Sequence, residues 1–284
     1  MKKLVISLIS MMLALSVVFT SEAALAFAKE APAPAPVSVT MQQKADEKKP
    51  YTGWKTTKTG RKRYYVNGKV VKNKSKKIGK ARYCFTKKGF LVTGRAFKIG
   101  KTVYYVANSG KVRAYKRDGV YYKNGGKEMT VAETEDWKTR LTAERIVEEI
   151  TTDDMSKKEK FKVCFDWVMA KPYVTYRKFY PTDYWPATYA NDHFKRRGGD
   201  CHADGSAIAY MAVAIGFKNV YVCNDSNGLG AQGHSWCEIN GKVYDPLFAQ
   251  AKSYSKYFGA TYGSYGLSPV LHIKMDYNKA RPKK

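Results

Sequence analysis

The chain has 284 residues and a formal net charge of +27, from 51 lysines and arginines against 24 aspartates and glutamates. Five cysteines in this length exclude a small disulfide-stabilised scaffold, and their odd number leaves at least one thiol unpaired in a monomer. The charge indicates a polyanionic environment, namely nucleic acid, anionic lipid or a phosphate-rich polymer. The alternative is a solvated basic surface that keeps the protein soluble.

Residues 1–28 have the order of a secretory signal peptide. Two lysines precede an apolar stretch over residues 4–19, and Ala26-Phe27-Ala28 forms a small-x-small cleavage site. A transmembrane anchor, the alternative, needs an apolar span of about 20 residues. We therefore expect an exported protein without a transmembrane anchor, and export argues against nucleic acid as the physiological partner. Residues 29–50 are rich in alanine and proline and predict an extended linker.

Residues 51–128 contain an internal repeat, in which Gly68, Gly89 and Gly110 are spaced 21 residues apart and follow aromatic pairs or near-pairs. Short aromatic and β-branched segments separated by turns of the Asn-Gly type predict a β-hairpin in each unit. Because leucine, isoleucine and valine are few, stacked tyrosine rings are expected to provide most of the apolar contact. The segment holds 23 lysines and arginines but only two acidic residues, Asp118 and Glu128.

These units resemble the choline-binding and related cell-wall-binding repeats of bacterial surface proteins. Gly53-Trp54 matches the Gly-Trp that opens such units, whereas Gly94-Arg95 stands where a second Gly-Trp belongs. Choline recognition uses an aromatic cage around a cation, so the missing tryptophan and the positive charge favour an anionic cell-wall polymer as partner. A spacer or dimerisation stalk is the alternative. The candidate wall-binding residues are Trp54, Tyr64, Tyr65, Tyr83, Tyr104 and Tyr105.

Residues 129–284 change to a mixed pattern of helices followed by strands, which predicts an α+β domain with one core. Apolar residues around Trp137 have helical spacing, and a second helix begins at the capping box Ser156-x-x-Glu159 and ends before Pro172. A tyrosine-rich loop is expected over residues 173–189. An alanine-rich helix then runs from Cys201 to a stop at Gly216.

Cys201 follows Gly-Gly-Asp at the first turn of its predicted helix. The partial positive charge of a helix N-terminus stabilises a thiolate and lowers the thiol pKa, and the N–H groups there can bind an oxyanion. A buried structural cysteine is the alternative.

A hairpin around Asn240-Gly241 supplies the partners that such a thiol needs. The two-residue turn places His234, Trp236 and Asp245 on one face of the sheet, and Cys237 on the other. His234 and Asp245 are diagonal neighbours, close enough for the carboxylate to orient the imidazole. A lone strand histidine packed for structural reasons is the alternative.

Gly199-Asp200-Cys201, the segment from Gly233 to Glu238 and Tyr244-Asp245-Pro246 together resemble the core of the transglutaminase-like superfamily. The resemblance implies a papain-like core of helices packed on an antiparallel sheet, with the β-hairpin repeat module N-terminal to it. It also implies Cys201 as nucleophile, His234 as general base and acid and Asp245 as third member. An upstream aromatic residue often assists the oxyanion in this superfamily, and Trp185 is the candidate, with Tyr184 close behind. Ordinary packing of either ring is the alternative.

The predicted function is thiol-dependent acyl transfer on peptide or protein amides through a thioester, with hydrolysis favoured. Protein cross-linking is the enzymatic alternative, and a non-catalytic wall-binding or adhesion protein is the second. Cys201, His202, His193 and His234 offer soft metal ligands, but no C-x-x-C or paired-histidine spacing supports zinc. No metal and no cofactor are therefore expected.

Overall fold

The computed structural model describes residues 49–275, which belong to one compact unit. The predicted signal peptide and nearly all of the linker lie outside the described residues. The fold is a mixed α/β architecture whose sheets are antiparallel. Its first nine strands are β1 (Gly53–Thr56), β2 (Lys62–Val66), β3 (Lys69–Val70), β4 (Lys74–Ile78), β5 (Ala81–Phe85), β6 (Arg95–Ile99), β7 (Thr102–Val106), β8 (Val112–Arg117) and β9 (Val120–Lys123).

The second half begins with four helices and continues into a sheet. The helices are α1 (Val131–Ile150), α2 (Lys157–Met169), α3 (Trp185–Arg196) and α4 (Cys201–Ile215). They are followed by β10 (Val220–Asn224), β11 (Ser235–Ile239), β12 (Lys242–Tyr244), α5 (Pro246–Ala251), α6 (Tyr254–Tyr257), β13 (Phe258–Ala260), α7 (Tyr262–Tyr265) and β14 (Leu271–Lys274).

Strands β1–β9 form the predicted series of hairpins. The repeat glycines Gly68, Gly89 and Gly110 have φ of +75°, +77° and +81°, a conformation that an L side chain rarely adopts. Aromatic rings pack along the module, and the rings of Tyr115 and Tyr122 stack at 5.0 Å. The small fully buried cluster, however, is made of aliphatic residues and a cysteine, namely Cys84, Val92, Val106 and Val112. Phe97, Ile99 and Tyr104 pack against this cluster from outside, so tyrosines do not fill it.

The hairpins contact helix α1 through both charged and aromatic side chains. Arg113 donates two hydrogen bonds to the Glu144 carboxylate, at 2.8 and 3.2 Å, and its guanidinium lies 4.7 Å from the centre of the Trp137 ring. The Tyr105 ring meets the same tryptophan edge-on at 5.6 Å. A paired guanidinium that also covers an aromatic face holds the module against the helix.

Helix boundaries follow local capping chemistry. The capping box predicted at Ser156 and Glu159 is confirmed, with both reciprocal hydrogen bonds present. Gly216 ends α4 with φ of +98°, as expected for a C-terminal glycine. The predicted loop over residues 173–189 was wrong in its second part, because α3 begins at Trp185. A proline in the first turn favours this helix start, and a tyrosine-rich composition does not reveal it.

The large sheet has the strand order β13-β12-β11-β10-β14. The predicted hairpin register is confirmed: Ile239 pairs with Lys242 and Cys237 with Tyr244, across an Asn240-Gly241 turn with φ of +52° and +77°. Sequence analysis did not predict the edge strands β13 and β14. Helix α4 packs centrally and is buried along nearly its whole length. None of the helices within residues 49–275 is both long and apolar enough to cross a membrane.

Candidate active site

Cys201 opens helix α4 and is 7% exposed. Asp200 caps the helix, and its Oδ1 accepts hydrogen bonds from the backbone N–H groups of His202 and Ala203, at 3.0 and 3.1 Å. Those two N–H groups are therefore committed to a carboxylate. Of the first-turn donors considered for an oxyanion, the Cys201 N–H is the candidate that remains.

Close backbone packing brings α4 against β11. A Cβ added to Gly205, four residues after Cys201, would lie 3.0 Å from the backbone N and Cα of Trp236. Cys201 and Gly205 lie on the same face of α4, because residues four apart share one helix face. Because Gly205 has no side chain, this face can approach β11, the strand that begins next to His234. Gly199 is equally constrained, because a Cβ added there would collide with the Cβ of Ala203.

His234 lies just before β11 and Asp245 just after β12. The imidazole Nε2 and the Asp245 Oδ2 are 2.7 Å apart, and the carboxylate is fully buried. The Tyr265 hydroxyl donates to the same Oδ2 at 2.7 Å, and Oδ1 accepts from the Phe248 N–H at 3.0 Å. The Phe248 ring stacks on the imidazole at 4.1 Å. Nε2 is thus committed to the carboxylate, which leaves Nδ1 for the thiol.

A second imidazole, that of His202, also contacts the thiol. Its Nδ1 lies 3.6 Å from the Cys201 Sγ and 3.4 Å from the Asp200 Oδ1, while Nε2 is 3.2 Å from the Gln232 carbonyl oxygen. The Phe179 ring stacks on it at 4.1 Å. The sulfur atom therefore interacts with two imidazoles, those of His202 and His234, and each imidazole is close to a carboxylate.

These neighbours set the protonation states of the site. Burial raises the pKa of Cys201, but interactions with His202 and then His234 outweigh it and lower this pKa to about 7. Burial lowers the pKa of His234, but the Asp245 carboxylate and Cys201 outweigh it and raise this pKa to about 9. The imidazole is therefore the stronger base of the pair. It can hold the proton while the sulfur is a thiolate nucleophile.

The remaining cysteines differ from Cys201 in that their pKa values are raised. All five cysteines are free and buried. Burial raises the pKa of Cys84 and of Cys164 to about 12, and it raises the pKa of Cys223 and Cys237 as well. A buried thiol that stays protonated is a poor nucleophile, so Cys201 differs from the other four by its surroundings.

The two aromatic oxyanion candidates lie in different surroundings. Trp185 is 3% exposed, its ring meets that of Phe179 at 5.1 Å, and its indole N–H has no hydrogen-bond partner among the described residues. The Phe179 ring contacts both the Trp185 indole and the His202 imidazole, and His202 in turn contacts the Cys201 thiol. The Tyr184 hydroxyl lies 3.4 Å from a carboxylate oxygen of Glu133 on helix α1.

The candidate wall-binding residues do not form one surface. Trp54 brings three of them together, since its ring lies 5.1 Å from both Tyr64 and Tyr83. The Tyr65 ring pairs with Tyr51 at 6.2 Å and that of Tyr104 with Tyr115 at 5.7 Å. Tyr105 is occupied by its contact with Trp137 of helix α1.

Sequence analysis did not assign His202, Phe248 or Tyr265 to this site. His202 is adjacent to Cys201 in the sequence, so the Cys-His pair was a usable signal. Tyr265 gave no signal, because its approach to Asp245 depends on how the C-terminal segment folds back over the sheet.

Comparisons with known proteins yield structural neighbours only. The sequence matches no protein-family model and none of the curated proteins. Among solved structures, the choline-binding domain of Spr1274 from Streptococcus pneumoniae is 26% identical, with 22% of this chain and 94% of that chain covered and a TM-score of 0.20. The Cpl-1 endolysin of phage Cp-1 complexed with choline is 27% identical, with 30% and 27% covered and a TM-score of 0.22. The S. pneumoniae autolysin LytC is 17% identical, with 32% and 31% covered and a TM-score of 0.15. TM-scores this low do not establish a common fold.

Proposed function

We propose that this protein is an exported, cell-wall-associated enzyme that transfers acyl groups through the Cys201 thiol, in a domain of the transglutaminase-like type. One observation carries the proposal. A thiol with a pKa lowered to about 7 lies beside an imidazole whose other nitrogen is 2.7 Å from a buried carboxylate. Such an arrangement supplies a nucleophile, a proton donor and a group that fixes the orientation of the donor.

The proposed reaction starts from the thiolate of Cys201 and the imidazolium of His234. The sulfur attacks the carbonyl carbon of an amide, and the Cys201 N–H, assisted by the Trp185 indole, stabilises the oxyanion. The C–N bond breaks as His234 donates its proton to the departing amine, which leaves a thioester and a neutral imidazole. Asp245 keeps the ring oriented throughout.

The neutral His234 imidazole then takes a proton from water, whose oxygen attacks the thioester and releases a carboxylic acid and the thiolate. An amine in place of water gives a new amide, which is the cross-linking outcome. We favour hydrolysis of peptide or protein amides, such as those of wall-associated polypeptides or stem peptides. How well the site around Cys201 excludes water decides between the two outcomes.

The basic hairpins are proposed to bind an anionic wall polymer. The observation that supports this role is charge segregation: 23 of the 51 basic residues lie within residues 51–128, with two acidic ones. Choline, which occurs with the Cpl-1 endolysin neighbour, is the competing ligand. A protein that only binds the wall or acts as an adhesin, with an inactive second half, is the competing function.

The enzyme assignment is tested by competitive alkylation of the full chain with iodoacetamide at neutral pH. Cys201 is expected to react much faster than Cys164, and Cys201→Ala, unlike Cys164→Ala, to abolish turnover. Incubation with a glutamine-containing protein and a fluorescent amine separates the outcomes, because incorporation means cross-linking and cleavage alone means hydrolysis. Equal alkylation of Cys201 and Cys164 contradicts an enzyme and favours the wall-binding protein.

The wall-binding role is tested by sedimenting the Cys201→Ala chain with anionic cell walls. Binding should fall with added salt, because screening weakens contacts between exposed charges, and it should be insensitive to choline. The double variant Lys77→Glu and Lys80→Glu, both exposed in the hairpins, should weaken binding more than the matched pair Lys218→Glu and Lys242→Glu. Release by choline, or equal effects of the two pairs, contradicts the anionic ligand.

A further inference from the structure

A second cluster of reactive side chains lies on the large sheet and takes no part in the proposed reaction. Cys223 on β10, Glu238 on β11 and His272 on β14 each offer one ligand atom, and these atoms lie within 4.8 Å of one another. The strands are adjacent, and Cys223 pairs directly with His272. Their convergence therefore depends on the sheet register and not on mobile loops.

The distances suit a tetrahedral metal ion. The His272 Nε2 lies 3.0 Å from the Glu238 Oε2, and the Cys223 Sγ lies 4.0 Å from the same oxygen. Zinc bonds of about 2.0–2.3 Å to nitrogen, oxygen and sulfur place neighbouring ligand atoms about 3.4–3.6 Å apart. The two observed separations bracket that value, and the third, between the Cys223 Sγ and the His272 imidazole, is no more than 4.8 Å, so shifts of about 1 Å bring the ligands into place.

Neighbouring side chains orient these ligands as outer-shell groups do in metal sites. The Tyr262 hydroxyl donates to the Glu238 Oε2 at 2.6 Å, and the Trp236 indole N–H donates to that hydroxyl at 3.2 Å. The Tyr221 ring stacks on the His272 imidazole at 4.0 Å. The His272 side chain is 41% exposed, whereas Cys223 is fully buried, so an ion could enter from the histidine side.

We propose that Cys223, Glu238 and His272 bind a divalent transition metal ion, zinc above all, with solvent as the fourth ligand. Thiolate, imidazole and carboxylate form a donor set that suits zinc and not magnesium or calcium, which prefer oxygen ligands. On binding, the thiol proton leaves to solvent as the S–metal bond forms. His272 Nε2 presents its lone pair with the proton on Nδ1. This proposal departs from the sequence-based expectation of no metal, which rested on the lack of C-x-x-C or paired-histidine spacing.

The site is distinct from the proposed catalytic thiol. His234 precedes β11 and lies four residues before Glu238, with Trp236 between them, and it contacts Asp245 and Phe248 instead. Binding of the ion and reactivity of Cys201 can therefore be measured separately, and failure of one assignment leaves the other standing.

The test is titration of the full chain, freed of metal by a chelator, with Co²⁺ as a spectroscopic probe. One equivalent should give a thiolate-to-cobalt charge-transfer band and the visible bands of a four-coordinate ion. Cys223→Ser should abolish the charge-transfer band, whereas Cys201→Ser and the buried-thiol control Cys164→Ser should keep it. If Cys223→Ser fails to fold, His272→Gln at the exposed position carries the test and should eliminate stoichiometric binding.

Zinc affinity, measured by competition with a chromophoric chelator, tests whether Tyr262 orients the Glu238 ligand. Tyr262→Phe removes the hydroxyl that orients Glu238 and should weaken zinc binding about 10-fold. Absence of the cobalt bands overturns the proposal. A charge-transfer band that disappears in Cys201→Ser but survives in Cys223→Ser also overturns it, because the metal would then lie at the catalytic thiol.

Discussion

The second imidazole beside Cys201 leads to a quantitative prediction. Cys164 is a buried thiol without a histidine neighbour, and burial raises its pKa to about 12. Cys201 is also buried, yet His202 and His234 lower its pKa to about 7. Together the two rings therefore change the acid dissociation constant of the thiol by about five powers of ten.

His202→Gln should move the thiol pKa about halfway back toward that of Cys164, because both rings interact with the sulfur. The thiolate fraction at pH 7 then falls about 100-fold, while the more basic thiolate becomes about 10-fold more nucleophilic. Alkylation at pH 7 should therefore slow only about 10-fold, and the larger change should be in the pH at which the rate is half-maximal.

The assay is iodoacetamide alkylation as a function of pH, with the Cys201 peptide quantified by mass spectrometry. His234→Gln should move the midpoint in the same direction. The control is His272→Gln, whose imidazole contacts Tyr221 and Glu238 and should leave the midpoint unchanged. An unchanged midpoint in His202→Gln, beside a fully displaced one in His234→Gln, would refute the two-imidazole explanation.

Three further predictions concern the same site. Gly205→Ala must widen a 3.0 Å backbone contact by about 0.4 Å. Since a 1 Å misplacement costs about 100-fold, turnover of the glutamine-containing protein should fall about 5-fold. The helical control Gly263→Ala, whose added Cβ meets nothing within 4 Å, should have no effect. Turnover should rise with pH through about 7 as Cys201 loses its proton and fall through about 9 as His234 loses its own, and a profile without the acid limb contradicts the assigned thiol. Trp185→Phe should lower acylation about 100-fold if the indole N–H serves the oxyanion, with thermal stability kept, whereas unchanged acylation assigns the ring to packing.

The sequence predicted the structure correctly where interactions between residues close in the sequence determine it. The Asn240-Gly241 turn fixed the hairpin register, which in turn predicted that His234 and Asp245 would meet, and the glycines of the repeat marked its turns. The start of α3 was missed, because aromatic side chains are compatible with both a loop and a buried helix.

By itself, the sequence determined which residues could carry the chemistry. The spacing of glycines, the capping residues and the period-two alternation of strands act over a few residues, so they can be recognised without the fold. Only the tertiary structure decided that Tyr265 holds the Asp245 carboxylate and that Cys223, Glu238 and His272 converge. Those contacts join segments up to about fifty residues apart, and their distances depend on how strands β10, β11 and β14 pair and how α4 packs against them.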